Sequence, residues 1–348
     1  MTQPTGVRAP GALLLADLVL EGGGVRGIAL VGAVDALAGA GYRFPRVAGT
    51  SSGAVVGSLV AALQRAGEPL ARLEDVALAV DYAGLLDRGP VASLVAGLGP
   101  LERVVDGLAI AVDGGAYEGD RLREVVAGVL ADLGVRTFGD LRIDDDPGSA
   151  LPVERSYGLV VTASDLSRRR LARLPWDYPL YGLDPDEQPV ADAVRASASI
   201  PFVFDPVELP APRTAGRATL VDGSVLSDYP IELFDRTDER PPRWPTFGVR
   251  LVPRPEEEPL VPVRGPVDLA LRLVETVLVA CDGRYVDDPC VLARSAFVDA
   301  GAVSGIDFDL PAEERQALLA AGRAAALDLL SSWDWPAYLR TCRGFEEG

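Results

Sequence analysis

Residues 17–27 read DLVLEGGGVRG: four residues of strand character, three consecutive glycines, and the start of a small, apolar, helix-forming run that continues to about Ala40. A strand that breaks in glycine and resumes as a helix opens an α/β unit. The same order recurs at once. A short strand around Arg46–Ala48 meets a second turn, GTSSG at residues 49–53, and AVVGSLVAAL at residues 54–63 has the composition of a buried helix. Two such units in succession predict a mainly parallel sheet with helices on both faces.

Further along the chain, Tyr157–Ala163, Thr219–Val221 and Thr246–Leu251 read as strands, and Ala191–Ser199 reads as a short helix stopped by Pro201. A Pro-rich acidic stretch at 253–266 precedes a helix expected over Val267–Val279. Ala312–Leu330 is a long amphipathic helix with Pro311 at its start and Glu313 and Glu314 in its first turn, where both are favourable. Residues 69–133 are mainly helical, broken at Gly89-Pro90 and Gly99-Pro100, and are expected to form an insertion over the sheet edge that acts as a lid. No composition shift marks a boundary, so one domain over residues 12–340 is expected, with 1–11 and 343–348 as flexible termini. A chain of 348 residues is long enough to bury a large core in one such domain.

Composition removes whole classes of chemistry. The chain has no histidine, and all 33 basic residues are arginine. A Ser-His-Asp triad, a Cys-His site, a His-ligated metal, a Walker A lysine and a pyridoxal phosphate Schiff base are therefore excluded. With 51 acidic residues the net charge is −18, which argues against nucleic acid and repels anionic membrane surfaces. Any transient lipid contact is expected through an apolar patch. Cys281, Cys290 and Cys342 form no CxxC pair and are odd in number. Unpaired thiols in a reducing, cytoplasmic setting are the expectation. The first apolar stretch, Gly11–Leu20, is interrupted by Asp17 and is too short to cross a bilayer.

The G-x-S-x-G of Gly49 to Gly53 places Ser51 between a strand and a helix. A tight elbow there exposes the hydroxyl above the sheet, although a serine before a helix also serves as an ordinary cap. Upstream, Gly22, Gly23 and Gly24 free their backbone N–H groups to point into a shared cavity, as stabilisation of an oxyanion requires. Gly22, Gly24 and Gly27 also satisfy G-x-G-x-x-G, the dinucleotide fingerprint. That rival needs an acidic residue about 20 residues on, at the end of the second strand, and GYRFPRVAGTSSG supplies none. An oxyanion loop with a nucleophile accounts for both turns. A serine nucleophile needs a base, and with no histidine the chemistry left to the chain is that of Ser, Asp, Glu, Tyr, Cys or backbone groups. Asp222, in LVDGS at 220–224, ends an apolar strand and is ionised at neutral pH near its ordinary pKa of about 3.9. Asp222-Gly223 is equally a common turn former.

Together these segments resemble the patatin-like phospholipase family, over most of the chain. The family's G-G-G-x-[RK]-G is matched by Gly22 to Gly27, its G-x-S-x-G by Gly49 to Gly53, and its D-G-[GA] by Asp222-Gly223-Ser224. RASASIP at 195–201 and DFDLP at 307–311 look like two further family segments. The resemblance implies a three-layer α/β/α fold, Ser51 as nucleophile, Asp222 as base, and Gly22 to Gly24 as the oxyanion hole. Arg26, Gly27, Gly49, Gly53 and Gly223 would support them, Arg26 by orienting the glycine loop. The implied activity is hydrolysis of lipid carboxylic esters through an acyl-Ser51 intermediate, with no metal or organic cofactor. A dinucleotide-binding protein and a catalytically silent interaction module are the alternatives. Two residues depart from the pattern: Ser224 replaces Gly or Ala, and Asp228 stands where bacterial members carry Asn before x-Pro. A second carboxylate near Asp222 is expected to raise one pKa of the pair by like-charge repulsion.

Overall fold

The computed structural model describes residues 13–85, 117–252, 288–301 and 307–345, with positions 262, 263, 265, 269, 273, 276, 303 and 305. The helix expected over 267–279 and the middle of the helical insertion, 86–116, lie largely or wholly outside the described residues.

The opening unit folds as its residue types require. Strands β1 (Leu14–Leu15) and β2 (Asp17–Leu20) lead through the glycine turn into helix α1 (Ile28–Gly39). Nine of the twelve residues of α1 are buried, as expected of a helix whose one charged residue is Asp35. β3 (Tyr42–Arg43) pairs with β1 in a small parallel sheet. β4 (Val47–Thr50) then enters the GTSSG turn, from which α2 (Ser52–Ala66) rises. Of the insertion, α3 (Arg72–Ala79) and α4 (Asp120–Asp132) are helical.

The second half supplies β5 (Leu159–Asp165), β6 (Arg170–Leu174), the single turn α5 (Tyr178–Tyr181), α6 (Val190–Ser197), β7 (Val207–Ala211) and β8 (Gly216–Asp222). β9 (Thr246–Val252), the short α7 (Pro289–Leu292), β10 (Ser295–Asp299), α8 (Ala312–Ser332) and α9 (Trp335–Arg343) complete it. Arg343, placed in the tail by the sequence reading, ends α9 and meets Asp235 at 3.2 Å.

Among the described residues eight strands form the main sheet. β10, β9, β2, β4 and β5 lie side by side and parallel. β6 runs antiparallel along one flank of β5, and β8 runs antiparallel along the flank that β4 also uses. β4 pairs with β5 as far as the Thr50–Thr162 step, and β8 approaches from the opposite direction and stops with Asp222 opposite Ala163. The ends of β4 and β8 therefore meet head to head on consecutive residues of β5. This register brings the GTSSG turn and Asp222 to the same point on the sheet.

Two expectations change. Cys290 and Cys342 are joined in a disulfide, with Cα atoms 5.4 Å apart, rather than remaining free thiols. The 52 residues between them in sequence hid a proximity that the fold creates. Asp17, read from sequence as an interruption, is buried at the start of β2. Arg46 neutralises it through two hydrogen bonds of 2.9 and 2.6 Å. Among the described residues no helix is long and apolar enough to cross a membrane.

Candidate active site

Ser51 sits at the top of β4 with φ 51° and ψ −122°, a conformation that costs a non-glycine residue on the order of 1–3 kcal/mol. Close backbone packing maintains it. A Cβ on Gly53 would lie 2.2 Å from the Leu20 carbonyl oxygen, and one on Gly49 would lie 2.1 Å from the Gly53 oxygen. The two glycines of the motif thus let α2 start directly against β2 and β4. The Ser51 carbonyl accepts from Ala54 and Val55, beginning the helical ladder.

Asp222 ends β8 and is 1% exposed. Its Oδ1 accepts the Ser224 N–H at 2.9 Å, while Oδ2 is buried without an aligned hydrogen-bond partner among the described residues. The Ser51 hydroxyl is in range of this carboxylate and favours its ionised form, as does Ser224. Burial outweighs both and pushes the Asp222 carboxyl up to about 6. For Asp222 the cause is removal from water rather than the like charge of Asp228 expected from sequence. Gly223 keeps the following turn tight, since a Cβ there would meet the Thr162 carbonyl oxygen at 2.6 Å.

The glycine turn lies beside the hydroxyl, and a Cβ on Gly22 would be 3.0 Å from Ser51 Cβ. The three amides are not equivalent. Gly22 N–H donates to Asp228 Oδ1 at 2.9 Å, and the Ser224 hydroxyl donates to the same oxygen at 2.6 Å. The carboxylate that departs from the family pattern therefore occupies one expected oxyanion donor. No acceptor among the described residues takes the Gly23 or Gly24 N–H. Gly24 has φ +58° and faces the Gly305 carbonyl oxygen so closely that any side chain is excluded. Arg26 donates from Nε to the Gly23 carbonyl at 3.3 Å, and Gly27 packs against the Ser52 side chain.

A cleft opens on this cluster, enclosing about 820 Å³ of space that runs out into solvent. Ser51 and Gly24 line it together with Val31, Val55, Leu59, Leu73, Ile200 and Phe204. Leu73 and Leu122 come from the helical insertion, which contributes to the apolar wall. Among the described residues no charged side chain lines it. Among the described residues no group of three or more Cys, Asp or Glu is arranged to hold a metal ion.

Sequence reasoning missed the support beneath these groups. Thr50 and Thr162 share a hydrogen bond of 2.6 Å where β4 leaves β5. Ser197 Oγ accepts the Ser51 N–H at 2.8 Å, and the Ser199 carbonyl accepts the Asp222 N–H at 2.8 Å. The family-like segment at 195–201 was the available signal, but its contacts lie too far away in sequence for its role to be read.

The comparisons agree with this architecture. The sequence profile of a family described as patatin-like phospholipase matches residues 18–235. YqhO of Bacillus subtilis, an uncharacterised protein, is 37% identical over 319 residues, which are 92% of this chain and 99% of YqhO. Rv2565 of Mycobacterium tuberculosis, an uncharacterised NTE family protein, is 27% identical over 216 residues, 62% of this chain and 27% of the relative. Among solved structures, VipD from Legionella pneumophila aligns with a TM-score of 0.50 at 17% identity, covering 91% of this chain and 67% of VipD. The likeness to VipD is one of fold, a sheet between helical layers.

Proposed function

Since this chain belongs to the patatin-like phospholipase family and is a hydrolase of lipid esters, we propose that it works through a two-residue site in which Ser51 is the nucleophile and Asp222 the only base. The observation that carries this reading is the head-to-head meeting of β4 and β8, which sets a strained serine beside a buried carboxylate with one open oxygen.

Ser51 Oγ attacks the ester carbonyl carbon while Asp222 takes its proton, and the carbonyl oxygen becomes an oxyanion. The Gly23 and Gly24 N–H groups stabilise that charge, as preorganised donors do in a site sheltered from water. Collapse expels the alcohol, which receives the proton from Asp222 and leaves an acyl-Ser51 ester with its chain in the apolar cleft. Water then gives its proton to Asp222, attacks the acyl carbon and releases the fatty acid, restoring Ser51. A carboxyl with a pKa of about 6 is a stronger base than an ordinary aspartate. It is still roughly nine-tenths ionised at pH 7.

The apolar wall suits an acyl chain, and the share contributed by Leu73 and Leu122 supports the insertion as a determinant of chain length. Contact with a lipid surface would be transient and apolar, because the net charge of −18 opposes anionic membranes. The expectation of a cytoplasmic setting drew on unpaired thiols, and the Cys290–Cys342 bond removes that argument.

Hydrolysis of a short-chain chromogenic ester tests the assignment. Ser51→Ala should lower turnover by several orders of magnitude and abolish labelling by a fluorophosphonate. Undiminished turnover in that variant would remove the assignment.

A further inference from the structure

One short stretch touches the backbone on both sides of the proposed dyad. α6 ends at Ser197, which has no exposed surface, and its hydroxyl oxygen accepts the Ser51 N–H. Two residues later the Ser199 carbonyl accepts the Asp222 N–H. Arg195, 5% exposed, braces the stretch. Its Nη1 donates to Ser199 Oγ, and its Nη2 donates to the Glu118 carbonyl and, at 3.0 Å, to the Asp205 carbonyl. Ser199 Oγ in turn donates to the Arg195 carbonyl at 2.8 Å.

The Ser51 N–H has no place in the ladder of α2, because the residue before a helix and its first turn lack intrahelical acceptors. A buried amide in that position requires a partner. Ser197 is that partner, across 146 positions of sequence. Its bond also opposes relaxation of the positive-φ elbow, which would swing the hydroxyl away from Asp222. Because the same three-residue stretch holds Asp222 by its own amide, nucleophile and base are referred to one rigid element rather than to each other. Arg195 ties that element to Glu118, within the insertion.

We infer that Ser197 is a positioning residue that fixes the Ser51 elbow, the 197–199 stretch setting the separation of hydroxyl and carboxylate. The inference rests on Ser51 and Asp222 acting as proposed above. A positioning role and a merely structural one differ in what they change. Loss of structural support lowers stability and the number of competent molecules, whereas loss of positioning lowers the turnover of each competent molecule.

The test is Ser197→Ala assayed on the chromogenic ester, with active sites counted by exhaustive fluorophosphonate labelling so that unfolded molecules do not enter the rate. Expected is a fall in kcat per titrated site on the order of 10–100-fold with KM within about twofold of wild type, because misplacing a reacting group raises the barrier without changing binding. The fluorophosphonate should also label the variant more slowly. Wild-type kcat per titrated site in Ser197→Ala overturns the inference while leaving the dyad intact. Persistent turnover in Ser51→Ala instead overturns the dyad itself, so the two failures are distinguishable.

Discussion

Asp222 combines two properties that burial couples. Removal from water raises its pKa to about 6, which strengthens it as a base and makes its ionised form costly to hold. Turnover should therefore rise with pH, reach half its maximum near pH 6 and level off above. A rate flat from pH 5 to 8 would contradict the assignment of Asp222 as base. The sign for stability follows from the same shift. Below about pH 4 the carboxyl is neutral whether folded or unfolded and costs nothing. Between about pH 4 and 6 the unfolded chain ionises this group in water while the folded protein keeps it protonated, so stability falls across that window, and above 6 the full cost of the buried charge stands. Asp222→Asn should consequently be inactive yet more stable at pH 7, by on the order of 1–3 kcal/mol. The gain should vanish near pH 4. Urea unfolding midpoints at the two pH values would measure it, and a less stable variant at pH 7 would count against burial as the cause.

Secondary-structure elements meet here through backbone contacts that only glycine permits. α1 and α8 cross so closely that a Cβ on Gly32 would lie 2.0 Å from the Leu319 carbonyl oxygen, and one on Gly322 would lie 1.8 Å from the Ala29 oxygen. The long helix α8 is thereby docked on the helix that follows the glycine turn. Gly322→Ala should force the pair apart and destabilise the fold by about 1–3 kcal/mol. Gly128, on the exposed face of α4, has no described atom within 4 Å of where a Cβ would stand. Gly128→Ala should stabilise by about 0.5–1 kcal/mol through the lower entropy of the unfolded chain. Thermal denaturation of the two variants checks the contrast: one substitution, opposite signs, decided by what stands opposite the added methyl group.

At the scale of the whole molecule, the disulfide joins the segment before β10 to the helix that closes the chain. Asp235 reinforces that junction by taking two bonds from Arg294, of 2.7 and 2.8 Å, and one from Arg343. The junction lies toward the end of the sheet where the parallel strands begin, opposite the end that carries Ser51. Closing a loop of 52 residues restricts the unfolded chain by up to about 4 kcal/mol. Paired Cys290→Ser and Cys342→Ser substitutions, or reduction, should lower the melting temperature and leave turnover of a soluble ester near wild type. Calorimetry with and without reductant measures the first effect. A collapse of turnover with an unchanged melting temperature would mean that the bond acts on the site instead.

What could be read from residues alone was local: strand, glycine turn and helix in β2 to α1, the same order around Ser51, and the absence of histidine that removes a Ser-His-Asp triad. Those follow from backbone requirements and side-chain chemistry within a few positions, and they extended to β5, α6, β8, β9 and α8 with ends displaced by a few residues. β6, β7 and β10 escaped because RLARL, VELPA and SAFVD lack a decisive period, and their pairing belongs to distant partners. The site divides in the same way. Ser51, Asp222 and the glycines were legible from their motifs. Capture of the Gly22 amide by Asp228, 206 positions away, the bond from Ser51 to Ser197, the Cys290–Cys342 link and burial as the cause of the raised pKa of Asp222 were not. Each depends on which groups become neighbours and how much water they lose, and only the packed chain decides that.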